Sequence, residues 1–323
     1  MYKRQGIRPT PVNAQLLVPK GYVNDYIKAG IDVDKPFAIS VSELTAEDWI
    51  ATFGFSMIDE HGILTERVIK TVKERYGDNY SIDDIINVIK EFETVEKKVK
   101  DVLINRFMAA NDWGIFDKNA TKIEDLLQAG KITILDVSPF MRVSGAWSIR
   151  AMVVGLLARK IFMQRSVARK MEEQARITGK AVKTIPMVWI MIDEAHQFLP
   201  NEGSTVASGP LHTLVKEGRQ PGISLLFITQ RPNKLHEDAL SQSDLIISHR
   251  LTARADIEAL RSIMQTYMLE DVQDYINALP RQKGTAIVLD DNSERIFPLQ
   301  LRPRVSWHAG ESPTAMKEKS FFE

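Results

Sequence analysis

The sequence of 323 residues is long enough for one large domain or two ordinary ones, because single hydrophobic cores stop growing at roughly 250 to 300 residues. Lys plus Arg and Asp plus Glu number 42 each, which excludes a protein-wide field of one sign, so any nucleic-acid contact has to come from a local patch. A content of 44% hydrophobic and 26% charged residues excludes a mostly disordered chain, and the lack of cysteine excludes disulfides, Cys-ligated metal sites and thiol catalysis.

The first residues, Met1 to Gly6, are basic with no apolar stretch behind them and do not read as a secretory signal; Tyr2-Lys-Arg-Gln5 looks like the translation of a sequencing adapter. Ala14 to Pro19 and Pro36 to Val41 are short apolar or alternating runs bounded by Pro, Gly and Asp, and predict strands. From Thr45 to about Gly130 the spacing becomes helical. Thr45-Ala-Glu-Asp48 and Ser81-Ile-Asp-Asp84 supply two start signals, each a hydroxyl followed three residues later by an acid. Beyond that block, short apolar strands alternate with helices: strand Ile132 to Val137, a long helix from about Gly145 to Ile177, strand Met187 to Asp193, and a helix around Gly209 to Glu217. Strands Ile223 to Thr229 and Leu245 to His249, helices Ala253 to Met264 and Leu269 to Leu279, and strands Gly284 to Leu289 and Arg295 to Leu301 complete the series. Strands apolar throughout and separated by helices require a mostly parallel sheet covered on both faces, so the fold class is α/β with a helical insertion. The longest apolar runs, Val188 to Ile192 and Ile223 to Ile228, fall far below the roughly 18 residues of a membrane helix, and the expectation is a cytoplasmic protein with no membrane segment.

Chemistry concentrates in Val188-Trp-Ile-Met-Ile-Asp193-Glu194-Ala-His196. Five apolar residues running into two carboxylates put Asp193 at the carboxyl end of a buried strand, where open α/β sheets bind ligands. The first carboxylate can hold a hydrated Mg2+ and the second can face a water beside a terminal phosphate, which is the Walker B pattern of nucleoside triphosphatases. A second apolar strand, Ile223 to Ile228, ends in Thr229-Gln230-Arg231-Pro232. If parallel and adjacent, it brings Thr229 and Gln230 to the same edge, where a Gln can orient the attacking water. Between them, in Glu217-Gly-Arg219-Gln-Pro-Gly222, Arg219 reads either as a cation at a helix C-terminus or as an arginine finger for a neighbouring subunit's phosphate.

Taken in order, Ile-Asp-Glu-Ala-His, Glu-Gly-Arg-x-x-Gly, Thr-Gln-Arg-Pro, Leu240-Ser-Gln-Ser-Asp-Leu-Ile and His249-Arg250-Leu251 resemble the HerA/FtsK superfamily of DNA-translocating motor ATPases, the HerA-like branch above all. The resemblance covers Lys131 to Arg304 well and Val12 to Leu44 loosely. It implies a RecA-like P-loop NTPase core, ATP and Mg2+ as cofactors, a homo-hexamer around double-stranded DNA, and a NurA-type nuclease as partner in DNA-end processing. It also implies Asp193 for magnesium, Glu194 as catalytic base, Gln230 as sensor and Arg219 acting in trans; Thr229, beside Gln230, is with Asp193 a candidate cofactor-binding residue. The chain divides accordingly into residues 1–44, the start of a truncated core; 45–130, a helical insertion; 131–304, the core with its motifs; and 305–323, a C-terminal extension.

One element departs from the family pattern. No Gly-x-x-x-x-Gly-Lys-Ser/Thr occurs, and Thr178-Gly179-Lys180-Ala181 follows a long helix instead of a strand, so it reads as a helix-ending glycine. In the family the phosphate loop precedes the region matching Val12 to Leu44, which leaves three expectations: a fragment of a motor and itself inactive, a P-loop-less member that binds without hydrolysis, or a secretion or conjugation ATPase of the same superfamily. His196 and His249 lack companions for a metal, Trp113, Trp147 and Trp189 read as core, and Arg159, Lys160, Arg165, Arg169 and Lys170 form a basic helix face that is either solvated or lines DNA.

Overall fold

The computed structural model describes residues 10–142, 146–264, 272–303 and 305–306. The adapter-like Tyr2 to Gln5, Leu269 to Asp271 of a predicted helix, Arg304 and most of the C-terminal extension lie outside the described residues. The strands are β1 (Ala14–Pro19), β2 (Lys35–Phe37), β3 (Ile132–Leu135), β4 (Val188–Ile192), β5 (Ile223–Phe227), β6 (Leu245–Ser248), β7 (Thr285–Asp290) and β8 (Arg295–Gln300). The helices are α1 (Val23–Lys28), α2 (Ala46–Phe53), α3 (Glu60–Tyr76), α4 (Ile82–Glu91), α5 (Lys97–Asn111), α6 (Ile123–Leu126), α7 (Ala146–Thr178), α8 (Ser208–Glu217), α9 (Glu237–Ser241), α10 (Arg254–Met264) and α11 (Val272–Ala278).

The parallel pairs are joined through helices, whereas β6 and β7 pair antiparallel across α10 and α11, and β7 and β8 pair antiparallel with no helix between them. β1 lies between β2 and β3 and runs parallel to both, β4 pairs parallel with β5, and β6–β7–β8 form an antiparallel sheet. The short connection from β7 to β8 permits a hairpin, whereas each parallel pair needs a long crossover. Val41, inside the predicted second strand, instead enters a single 3-10 turn, Val41–Glu43.

Helices α2 to α6 carry the core of the N-terminal half. Both predicted start signals form: Thr45 and Asp48 bond each other's backbone N–H across the first turn of α2, and Ser81 and Asp84 do the same for α4. Trp49 on α2 is wholly buried against Phe53, Phe107 and Trp113, with ring centroids 5.0 to 6.4 Å away. Tilted and stacked ring packing of this kind adds to the hydrophobic contribution of each ring.

The 33-residue α7, about 50 Å long at 1.5 Å per residue, joins this half to the motif-bearing half. Its predicted basic face is largely neutralised within the fold. Arg159 grips Asp48 with two bonds of 3.1 and 2.6 Å, Lys160 meets Glu43 at 2.6 Å, and Arg169 meets Glu173 at 3.0 Å. Arg165, 1% exposed, bonds the Pro221 and Ile185 carbonyls and Glu172, so it fastens the helix to the turns entering β4 and β5. Gly155 permits the closest approach: a Cβ there would stand 2.9 Å from the Val206 carbonyl oxygen, in the segment entering α8. α7 ends at Thr178, and Gly179 follows with φ +67°, the left-handed stop that glycine supplies without strain.

The expected cover on both faces is not met at β4 and β5, where one face is left exposed. Val188 and Ile192 are buried, but Trp189 and Met191 between them are 68% and 60% exposed, and Leu226 and Ile228 on the same face are exposed as well. Trp147 is exposed too, with the Arg150 guanidinium stacked 3.8 Å over its ring, so of the three tryptophans predicted in the core only Trp113 is there. No described element packs over that face, and an apolar run by itself carries no record of what covers it.

Candidate active site

Parallel pairing fixes the geometry of the site. β4 and β5 are in register from Val188↔Ile223 to Ile192↔Phe227, so both strands deliver their following residues to one carboxyl edge. The ladder continues past the strands: Ile228 N–H donates to the Ile192 carbonyl and Ala195 N–H to the Ile228 carbonyl, both at 2.9 Å. Asp193, Glu194, Thr229 and Gln230 therefore share that edge.

There the chain turns sharply. Glu194 has φ +50° and ψ +44°, a left-handed conformation that a side-chain-bearing residue adopts at a cost of roughly 1 kcal/mol or more. The turn lets Glu194 N–H donate to Asp193 Oδ1 at 3.0 Å and aims the two carboxylates differently: Asp193 into solvent, Glu194 across the edge. Gln230 Nε2 donates to Glu194 Oε1 at 2.9 Å, a bond between residues 36 apart in sequence. His196, part-buried, places Nδ1 2.9 Å from the Thr229 hydroxyl and 3.5 Å from Glu194 Oε2. Thr229 Oγ1 also accepts from Arg231 N–H at 3.0 Å, which closes the turn after β5.

The structure thus brings Asp193, Glu194, Thr229 and Gln230 together and holds Arg219 apart. Arg219 follows α8 and precedes β5, so it lies at the opposite, amino edge of the strand. β5 alone has five residues, about 17 Å of strand, which separates the Arg219 backbone from the carboxylates. Its side chain is exposed and makes no hydrogen bond or ion pair with a described residue. Sequence reasoning dismissed His196 on the ground that it lacked metal ligands and so missed its contacts to Thr229 and Glu194; its place two residues beyond Glu194, opposite the Thr-Gln pair, was the available signal. A further carboxylate, Asp136, follows β3. Burial opposes its charge, but the Tyr26 hydroxyl at 2.6 Å and the Ser138 N–H and side chain outweigh that and hold its carboxyl below the ordinary range.

The donor set suits a hard cation. Asp193 presents an exposed carboxylate with one oxygen engaged by a backbone N–H, which fits a magnesium ion held through water. Glu194 is part-buried and oriented from two sides, as a group that has to direct a water needs to be.

Fold and site together define the class: an α/β core of the P-loop NTPase, RecA-like kind, with parallel strands flanked by helices and two carboxylates at the carboxyl edge. VirB4 of Thermoanaerobacter pseudethanolicus shares the fold with a TM-score of 0.56 at 12% identity, over 94% of this chain and 83% of that one. Residues 177–292 match the family Helicase HerA-like C-terminal. The chain is 27% identical over 186 residues to the DNA double-strand break repair helicase HerA of Pyrococcus furiosus, covering 53% of this chain and 33% of that protein. It is 24% identical over 209 residues to the protein of the same name from Sulfurisphaera tokodaii, covering 65% and 36%. These matches make part of the chain similar to proteins of the HerA type. The chain spans about a third of the length of these curated relatives. Among the described residues no helix is long and apolar enough to cross a membrane.

Proposed function

We propose that this chain is the motif-bearing part of an ATP-dependent DNA translocase or helicase of the HerA type, working in DNA-end processing as a ring of like subunits on double-stranded DNA. The observation that carries the reading is the 2.9 Å bond from Gln230 to Glu194 across the carboxyl edges of two adjacent parallel strands. In this reading Asp193 holds the hydrated magnesium, whose chemistry is to neutralise charge on the phosphates. Glu194 accepts the proton of the attacking water, and Gln230, now bonded to Glu194, releases it and turns to the water or the terminal phosphate. Arg219 is too far along the strand to serve its own subunit's edge, so it serves a neighbour's, where a fixed guanidinium stabilises charge that develops in the transition state.

Phosphoryl transfer is mostly positioning and electrostatics, and these 323 residues hold no phosphate-cradling Gly-x-x-x-x-Gly-Lys-Ser/Thr sequence. ATP turnover by this chain alone is therefore expected near background. In a longer form carrying that sequence, Glu194→Gln and Arg219→Ala should each lower DNA-stimulated hydrolysis on the order of 10³-fold while nucleotide binding persists. Co-assembled Glu194→Gln and Arg219→Ala chains should regain activity, because mixed rings contain intact interfaces. Turnover unaffected by Glu194→Gln would overturn the catalytic reading, and a longer form that binds nucleotide without hydrolysing it would favour a binding protein instead.

A further inference from the structure

We propose that His212, His236 and Asp238 form a binding site for one divalent transition-metal ion of the zinc type, which ties α8 to α9. The proposal goes beyond the hydrolysis reading and does not depend on it. Among the described residues these three make up the one group of metal-ligating side chains whose donor atoms converge, all within 4.8 Å of one another.

The geometry is specific. Asp238 Oδ2 forms a common vertex, 3.3 Å from His212 Nδ1 and 4.0 Å from His236 Nδ1. A tetrahedral ion with bonds of about 2.0–2.1 Å needs ligand atoms about 3.3 Å apart, so one edge already fits and the other closes with a small rotation. The two rings meet edge to face with centroids 4.3 Å apart, and His212 Nδ1 is shielded from solvent without a well-aligned hydrogen bond. A set of two imidazoles and one carboxylate suits zinc, cobalt or nickel, and suits magnesium or calcium poorly. All three side chains are a quarter to a third exposed, which leaves a path for the ion and a position for water.

Two contacts oppose the ion. Asp238 N–H donates to His236 Nδ1 at 3.1 Å, and that bond has to be given up. Lys216 Nζ sits 3.0 Å from Asp238 Oδ2, but its side chain is 58% exposed and free to swing away. The ammonium also shows that this vertex draws positive charge. Lys216 lies one turn beyond His212 on α8, the helix that runs into Arg219, while His236 and Asp238 follow the segment that leaves Gln230. A bound ion would couple the candidate finger to the candidate sensor.

The test is a titration of the 323-residue chain with Co2+, read by visible d–d absorption, followed by competition with Zn2+. One ion per chain is expected. His236→Ala and Asp238→Asn should each weaken binding at least tenfold, His249→Ala should leave it unchanged, and Lys216→Gln should tighten it by removing the competing cation. The tightening separates a metal site from a salt-bridged structural cluster, in which losing Lys216 would only lower thermal stability. No saturable absorption, absorption indifferent to His236→Ala and Asp238→Asn, or no tightening on Lys216→Gln would overturn the proposal.

Discussion

Glu194 combines an acidic side chain directed at Gln230 with a backbone conformation that favours glycine. The strain and the contact can be separated by comparing two variants. Glu194→Ala and Glu194→Gly both lose the bonds to Gln230 and His196, but only glycine relaxes the left-handed φ. Glu194→Gly is therefore expected to be more stable than Glu194→Ala by about 1 kcal/mol, although glycine ordinarily costs stability through its freedom in the unfolded chain. Urea unfolding midpoints measure the difference. Equal stabilities, or alanine the better of the two, would show that the turn is not strained. At this scale much of the candidate site was legible: strand-ending Asp193-Glu194 and Thr229-Gln230 were readable from apolar runs that stop at polar pairs. The left-handed turn and the His196 contacts were not, because they depend on the path the backbone takes after the strand.

The helix start signals were legible because they are local, a hydroxyl and an acid three residues apart. Asp84 shows their electrostatic side. The Ser81 hydroxyl and, after it, the Ser81 backbone N–H bond its carboxylate at 2.7 and 2.8 Å and hold the carboxyl below the ordinary range. A depressed folded value means that the contribution to stability is complete above the ordinary carboxylate range and is lost as pH falls through the depressed value. Ser81→Ala should therefore cost about 1 kcal/mol at neutral pH, with the deficit shrinking in acid. Chemical denaturation at pH 7 and near pH 3 checks both parts; a deficit that stays constant would assign the loss to helix propensity alone. The pairing of strands into three sheets is non-local and had no comparable signal. Trp189 read as core because the residues from Val188 to Ile192 are apolar on both faces of the strand, and hydropathy does not say which face is covered.

Across the whole molecule the exposed Trp189, Met191, Leu226 and Ile228 form an apolar surface on one sheet face, bordering the candidate site. Contiguous apolar patches on soluble chains mark association surfaces, and in water they drive contact with whatever apolar surface is available. The purified chain is expected to self-associate with rising concentration and to enhance the fluorescence of a hydrophobic dye, and the double variant Trp189→Ser and Met191→Ser should reduce both. Sedimentation velocity over a concentration series measures the first effect. A chain that stays monomeric and dark with the dye would show that the face is covered in solution.

Most buried apolar side chains among the described residues fall into two clusters that share no residue. The larger runs from Leu17 through the helices to Ala239, and the smaller joins Ile257 and Leu260 of α10, Ile276 of α11, Leu279, and Ile287 and Leu289 of β7. Cooperativity in unfolding follows shared buried contacts, so the antiparallel sheet with α10 and α11 is expected to behave as a separate, weaker cooperative unit. Amide hydrogens of β6 and β7 are expected to exchange through an opening that leaves β4 and β5 protected, and calorimetry should resolve a minor early transition before the main one. A single transition with uniform protection would mean that contacts between the clusters outweigh the packing within the smaller one. For the motor proposed above, a body that loosens without melting its neighbour would let a subunit change shape while the strands bearing the carboxylates stay in register.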